Sequence, residues 1–366
     1  MLMASMGPDI SLARRRGVLL ILGMFMLGGC AVVGPQSITA GRGAYTEVIN
    51  RTEDEQILNA LVRMRYEETF GMMTVASVTA GLKFRAQAST DIGIGDSDDY
   101  AGNLVPFSAG AAYEENPTIS YVPLSGQDFT RRMLSPITID EWLLIGTQAR
   151  QPGGLFALAA RRANGLRNPL LSEVPPSAGF ARFVELYDEL RRASVMDIVS
   201  AVQPGGEVEY FWDLHDYANT HADAVRELFS LLGIETQIDG STILLPMRQA
   251  VGKSASAVNI QTRSAYDVLR VFSYGIDLPP AHVEAGIVDP DPPTALTGRR
   301  FITIRSSVDR PDNATVRIRF HDRWFYIDAT DAASKTAFAL LRTFIGIRLA
   351  DPGASQQAPV LTVPVN

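Results

Sequence analysis

Side chains able to do chemistry are few in this chain, and they lie far apart. The single cysteine, Cys30, directly follows Gly28-Gly29. A lone thiol can close no intramolecular disulfide and build no cysteine-based zinc site. The four histidines are His215, His221, His282 and His321. His215 and His221 are six residues apart, which does not place them on one helical face. A metal reading with Asp213 or Asp216 therefore yields to partly exposed histidines in a polar loop-to-helix segment. Asp91, Asp96, Asp98 and Asp99, around Ser97, offer the carboxylate oxygens that calcium favours. They lack the glycine and distal glutamate of an EF-hand, so they read as a solvated hairpin tip. His321-Asp322-Arg323 could do acid–base work, but between Phe320 and Trp324 it reads as a polar turn. Asp328 and Asp331 read as caps of the final helix. Trp324-Phe325-Tyr326 reads as core packing with one exposed edge. The sequence contains no GxSxG elbow, no P-loop and no HExxH, and no GxGxxG opens a helix after a strand. The expectation is a protein that is not an enzyme, with no catalytic or metal-ligating residue and no cofactor beyond a covalent lipid.

That lipid is the chemistry the N-terminus points to. Arg14, Arg15 and Arg16 precede an apolar run of eleven residues, Gly17 to Leu27, and then Gly28, Gly29 and Cys30. Charged region, apolar region and small residues follow the order of a secretory signal. The run is too short for a spanning helix, which needs about 20 residues. Leu27-Gly28-Gly29-Cys30 resembles the lipobox of bacterial prolipoproteins. That resemblance implies diacylglyceryl transfer to the Cys30 thiol, cleavage between Gly29 and Cys30, and acylation of the new terminus. Two or more acyl chains anchor stably, at about 0.8 kcal/mol per buried CH₂. Ala31 after the cysteine, where a retention signal would have Asp, implies the outer membrane by the same resemblance. Removal of residues 1–29 would take the net charge from −7 to −9 and leave 337 residues.

The 366 residues suggest about two domains of roughly 150 each. A content of 46% apolar and 20% charged residues is ordinary for a folded globular chain. The acidic balance argues against a nucleic-acid reader. No later segment has 18 uninterrupted apolar residues, so nothing else reads as a spanning helix. Residues 30–45 read as a lipidated tether. Thr52 with Glu55 forms a capping box ahead of Ile57, Leu58, Leu61 and Val62 on one helical face. The period then changes to two. Ala76, Val78, Ala80, Leu82, Phe84, Ala86 and Ala88 alternate with polar residues, and Ala109, Ala111, Tyr113, Ile119 and Tyr121 share a later parity. Residues 74–122 thus read as a long antiparallel hairpin, most simply half-buried with its apolar face packed on helices.

A helical block follows. Ser125 with Asp128 and Thr138 with Glu141 start the first two helices, and a third runs to Asn164-Gly165. Phe180, Phe183, Tyr187 and Leu190 mark a fourth. Gln203-Pro204-Gly205-Gly206 reads as a domain boundary. Beyond it come a helix ending at Gly233, a short hairpin (234–238 with 242–245) turning at Asp239-Gly240, and a helix capped by Ser264 and Asp267. Strands at 301–304, 316–320 and 324–327 and a last helix over 332–349 complete the pattern. The fold class expected is α+β. Its parts are a signal peptide (1–29), a tether (30–45), a helix, long hairpin and helical bundle (46–203), a smaller α+β domain (204–350) and a flexible tail (351–366).

The stretches NPTISYVPLSGQDF and RWFYIDATDAASKTAFALL are similar to lipoproteins of Gram-negative bacteria to which no activity is attached. The resemblance implies a location and no mechanism. The functional expectation is an outer-membrane lipoprotein, anchored by its lipid on the periplasmic face and binding partners of an envelope assembly, with no nucleic-acid partner. The alternatives are a homo-oligomeric pore or export component using the 74–122 hairpin, and a periplasmic enzyme of unrecognised type.

Overall fold

The structure, a computed structural model, describes residues 30–90, 107–124, 126–146, 152–171, 178–290, 300–349 and 361–364. The signal segment including Gly29, the acidic loop with Asp91, Asp96, Asp98 and Asp99, and Ser125 lie outside these residues. The chain divides into two compact units, residues 1–53 and 54–366. The described part of the first is helical throughout, because α1 runs from Cys30 to Arg65. Residues 30–45 are therefore helix instead of a loose tether, and Thr52 does not start a helix. The Thr52 hydroxyl donates to the Ile49 carbonyl at 2.9 Å, the back-bond of a threonine inside a helix. The preceding turn already supplies carbonyls, so no orphaned amides await a cap.

The second unit is α+β. In chain order it holds β1 (Met72–Thr90), β2 (Phe107–Leu124), α2 (Gly126–Leu134), α3 (Ile139–Gly146) and α4 (Pro152–Ala159). Next come β3 (Ala160–Ala163), β4 (Leu166–Arg167), α5 (Ala178–Arg192), β5 (Met196–Val202) and β6 (Val208–Leu214). They are followed by α6 (Ala222–Leu232), β7 (Ile243–Gln249), β8 (Val258–Thr262), α7 (Ala265–Ser273) and α8 (Pro280–Glu284). β9 (Arg305–Ser307), β10 (Ala314–Phe320), β11 (Arg323–Asp328), α9 (Ala332–Leu349) and β12 (Leu361–Pro364) complete it.

A six-stranded sheet of order β4-β3-β8-β7-β6-β5 forms the centre. Its neighbours are antiparallel except β7 and β8. This sheet corrects three expectations. Gln203-Pro204-Gly205-Gly206 is the turn of the β5–β6 hairpin, closed by Gln203 N–H to Glu207 O at 2.8 Å, so no domain boundary falls there. The third helix stops at Ala159, and Ala160–Ala163 leave it as a strand against β8. The Asn164-Gly165 pair is the turn between β3 and β4, with φ of 44° and 89°, where left-handed backbone suits Asn and Gly. Residues 234–238 form no strand, because the longer β7 pairs with β6 (Trp212 opposite Leu245). The strand expected at 301–304 begins at Arg305, with Ile304 in an isolated bridge to Ile276. The tail is not wholly loose, since β12 pairs with β2.

Burial explains the helices against the sheet. α5 buries Phe180, Phe183, Leu186, Tyr187 and Leu190. Phe183 and Tyr187 meet Phe156 of α4 at 4.9 and 4.8 Å, and Trp142 of α3 reaches Phe156 at 4.7 Å. On the sheet side Phe183 stacks on Trp212 at 6.4 Å. Asn164, 1% exposed, ties this body together. Its amide donates to Leu232 O and Ser254 O, and its carbonyl accepts from the Ser254 and Asn259 amides. Arg348 of α9 pairs with both Glu141 oxygens at 2.7 and 2.8 Å and donates to Arg132 O and Ser135 O. Glu141 also closes the expected box with Thr138. Asp331 caps α9 by accepting from Ser334, whereas Asp328 accepts from Thr330 in a turn of its own.

Two substitutions test these local assignments by urea denaturation. A Cβ at Gly275 would lie 2.2 Å from the Ile302 carbonyl oxygen, so Gly275→Ala should cost about 1–3 kcal/mol. Ser264→Ala removes the α7 capping box and should cost about 1 kcal/mol. Wild-type midpoints in both variants would contradict the packing and the cap.

Candidate functional site

The most distinctive element is the β1–β2 hairpin. Its strands have 19 and 18 residues, while the other strands have two to seven. At about 3.3 Å per residue, 19 residues extend about 60 Å. The register runs unbroken from Ser77 opposite Ser120 to Thr90 opposite Phe107, after one irregularity between Val75 and Ser77. That irregularity matters. It preserves parity, so Val75 opposite Tyr121 and Val78 opposite Ile119 fall on the same face. β12 extends both rows, with Leu361 beside Tyr121 and Val363 beside Ile119. Thr79 opposite Thr118 belongs to the other face. Among the described residues, β12 is the strand that lies along this arm, beside β2, and α1 meets its root through Gln56 and Met73. The expectation that its apolar face lies on the helices concerns side chains outside those described.

The arm leaves the body through a clamped turn. α1 ends at Arg65, Glu67 adopts a left-handed φ of 56°, and Met72 is buried as β1 begins. Gln56 accepts from the Met73 amide at 2.8 Å. Tyr66, 6% exposed, sits among Phe320, Phe325, His282 and His321, with ring centroids 5.1 to 6.0 Å away. Its hydroxyl lies 2.7 Å from His282 Nδ1. Burial pushes the Tyr66 hydroxyl up to about 12, so it keeps its proton. Burial first, then Arg323 and His321, holds His282 below the usual histidine value, while a hydrogen bond to the His321 main chain works the other way. The lowered value favours the neutral imidazole, which shares this hydrogen bond with the Tyr66 hydroxyl through Nδ1. Beside this pair, His321 Nε2 meets Glu68 Oε1 at 2.8 Å, and Arg63 reaches the other Glu68 oxygen at 2.9 Å. The α1 C-terminus, the α8 helix and the β10–β11 turn therefore converge on residues 66–68.

Behind this turn lies an open cleft of about 540 Å³. Met64, Phe70, Phe129, Met133 and Leu134 give it apolar walls, and Arg65, Tyr266, Arg270 and Tyr274 give it polar ones. Arg65 donates to Asp289 O at 2.7 Å and stands 5.0 Å over the Tyr274 ring.

The residues singled out in the sequence separate accordingly. Cys30 is the first described residue, at the start of α1. His215 faces Asp213 at 3.7 Å, and His221 contacts its neighbour Thr220 instead of joining them. Among the described residues, no group of three or more His, Cys, Asp or Glu could hold a metal ion. His321 and Asp322, with φ of 43° and 57°, form the two-residue turn between β10 and β11, as expected. Phe325 is fully buried and Trp324 half-buried beside Arg310. The pairing of His321 with Glu68 and of His282 with Tyr66 was not visible in the sequence, because 253 and 216 positions separate the partners. Among the described residues, no helix is long and apolar enough to cross a membrane. No family model, curated protein or solved structure matches this chain.

The clamp carries a pH signature. A histidine whose pKa is depressed by folding stabilises the fold above its unfolded value, near 6.5, and that contribution is lost as pH falls through the folded value. His282→Gln, which keeps an acceptor for Tyr66 and cannot titrate, should lose less stability than wild type between pH 7.5 and 5.5 in urea denaturation. An identical pH dependence in both proteins would contradict the assignment.

Proposed function

We propose that this chain is a non-catalytic, lipid-anchored envelope lipoprotein whose hairpin arm is its partner-docking element. Cys30 carries the lipid, and the anchor holds the protein on the periplasmic face of the outer membrane. The observation that carries the reading is the arm. Its sequence is two-faced, and it is far longer than any other strand pair in the described residues. A long sheet with one apolar face in water is a liability that a partner removes. The clamp at Tyr66, Glu68, His282 and His321 supports the same reading, because a docking arm works best when its root is held.

A second reading has one specific observation in its favour. A membrane strand needs about 9–11 residues, and both arm strands exceed that. Several copies, each contributing an arm, could then close a barrel with no unpaired edge. Glu115, which the register places opposite Leu82 on the apolar parity, and Pro117, opposite Ala80, fit a protein partner better than lipid.

Two measurements test the proposal. Cys30→Ala should move the protein from the membrane pellet to the soluble fraction after envelope fractionation, and full retention would contradict the anchor. The native mass of detergent-extracted wild type should exceed that of one chain. Replacing residues 76–119 by a short glycine linker should reduce it to a single chain while leaving cooperative unfolding of the body intact. An unchanged mass would remove the arm from the assembly, and a uniform many-copy ring in the wild type would favour the pore.

A further inference from the structure

A second concavity, of about 340 Å³, is independent of the arm and of the docking proposal. Among the described residues, five of the nine lining it are arginines: Arg161, Arg162, Arg167, Arg263 and Arg270. The single carboxylate is Asp267, which is already engaged in capping α7 through Ser264. The chain as a whole has a net charge of −7, so this concentration of positive charge runs against its average.

Three features resist explanation by folding alone. First, β3–β4 pairing sets Arg162 directly opposite Arg167, and like charges in that position destabilise a strand pair. Second, among the described residues no salt bridge involves any of the five arginines. Third, Arg263 is 3% exposed and its buried Nε has no hydrogen-bond partner. Among the described residues, its one side-chain hydrogen bond is a long one, 3.4 Å, from Nη2 to Asn168 O. Burial, with Arg161 nearby, pulls its pKa down to about 10, against the pull of Asp267. The frame around these charges is rigid. Asn164 pins the β3–β4 turn from one side, and buried Asn168 donates to Ala157 O and Ala160 O from the other.

We propose that this arginine-lined cavity is a binding site for a phosphoryl group. A dianionic tetrahedral group offers several acceptor oxygens to planar guanidinium forks, whereas a carboxylate occupies one or two. Its charge would offset the Arg162–Arg167 opposition and the positive charge of the buried Arg263. The group can come from a free phosphate compound or from a lipid headgroup. Arg270 lines both this cavity and the apolar-walled cleft of about 540 Å³, where the chains of a lipid would lie.

Thermal unfolding and calorimetric titration of the full chain at constant ionic strength test this. The probes are inorganic phosphate, sn-glycerol 3-phosphate and dihexanoyl phosphatidate below its micelle threshold, with chloride as the control anion. Saturable binding that raises Tm is expected, with affinity at least tenfold weaker in R162Q/R167Q. Without phosphate, that double variant should melt above the wild type, because the opposed charges are gone. R270Q, on the exposed side of α7, provides a second variant in case the first does not fold, and it should also weaken binding. Equal affinity for glycerol phosphate and phosphatidate supports a free phosphate compound. At least tenfold tighter phosphatidate binding, lost in L134D, supports a lipid headgroup. A response that chloride reproduces, or unchanged affinity in the folded variants, overturns the site.

Discussion

A hydrogen bond between Tyr66 and His282, buried 216 residues apart in sequence, fixes where the long arm leaves the body. The chain must turn sharply between the end of α1 and the start of β1, and Glu67 takes up the turn with a positive φ. Left-handed backbone is costly for a residue with a Cβ, of order 1–3 kcal/mol, and it persists only where surroundings overdetermine it. Here they do. Tyr66 is packed edge-on by Phe320, Phe325 and His282, and Glu68 is held by His321 and Arg63. The partly exposed contact between Glu68 and His321 adds little by itself, under about 1 kcal/mol. Its role is orientation: it holds the start of the arm to the β10–β11 turn.

The body then serves two surfaces. Its aromatic core is completed internally, with α4 and α5 covering the central sheet through Phe156, Phe183, Tyr187 and Trp212. That leaves the arm, in the proposed reading, to a partner. It also leaves the β3–β4 edge free to carry charge, because Asn164 and Asn168 satisfy the buried polar groups that would otherwise make such an edge unstable. One constraint thus runs through both features. Where the core is completed internally, the remaining structured surfaces are available for something outside the chain.

Elements with a strong local signal were legible in the sequence. α6 and α9 announced themselves by their apolar faces, α7 by its capping box, and β10 and β11 by the His321-Asp322 turn. The arm was legible from its alternation alone, although alternation describes two faces and says nothing about what covers either. The central sheet was largely missed. β5 and β6 flank Pro204-Gly205-Gly206, and a hairpin turn of that composition resembles a linker. β3 is four residues after an alanine-rich helix, too short to set a period. The Asn164-Gly165 pair held the needed signal. Read as a hairpin turn instead of a helix end, it would have placed Arg162 opposite Arg167. The histidine clamp offered no such clue, because it depends wholly on long-range packing.

The central claim is that a partner covers one face of the arm. Adjacent positions on β1 test it by parity, since the register sets Val78 opposite Ile119 on the apolar face and Thr79 opposite Thr118 on the other. Cys30 is the only native cysteine, so with its thiol acylated each introduced cysteine reports alone. The measurement is the rate of maleimide labelling of Val78→Cys and Thr79→Cys in intact envelopes. The account predicts that the cysteine at position 79 reacts at least tenfold faster than the one at position 78. Equal rates at the two positions would contradict it.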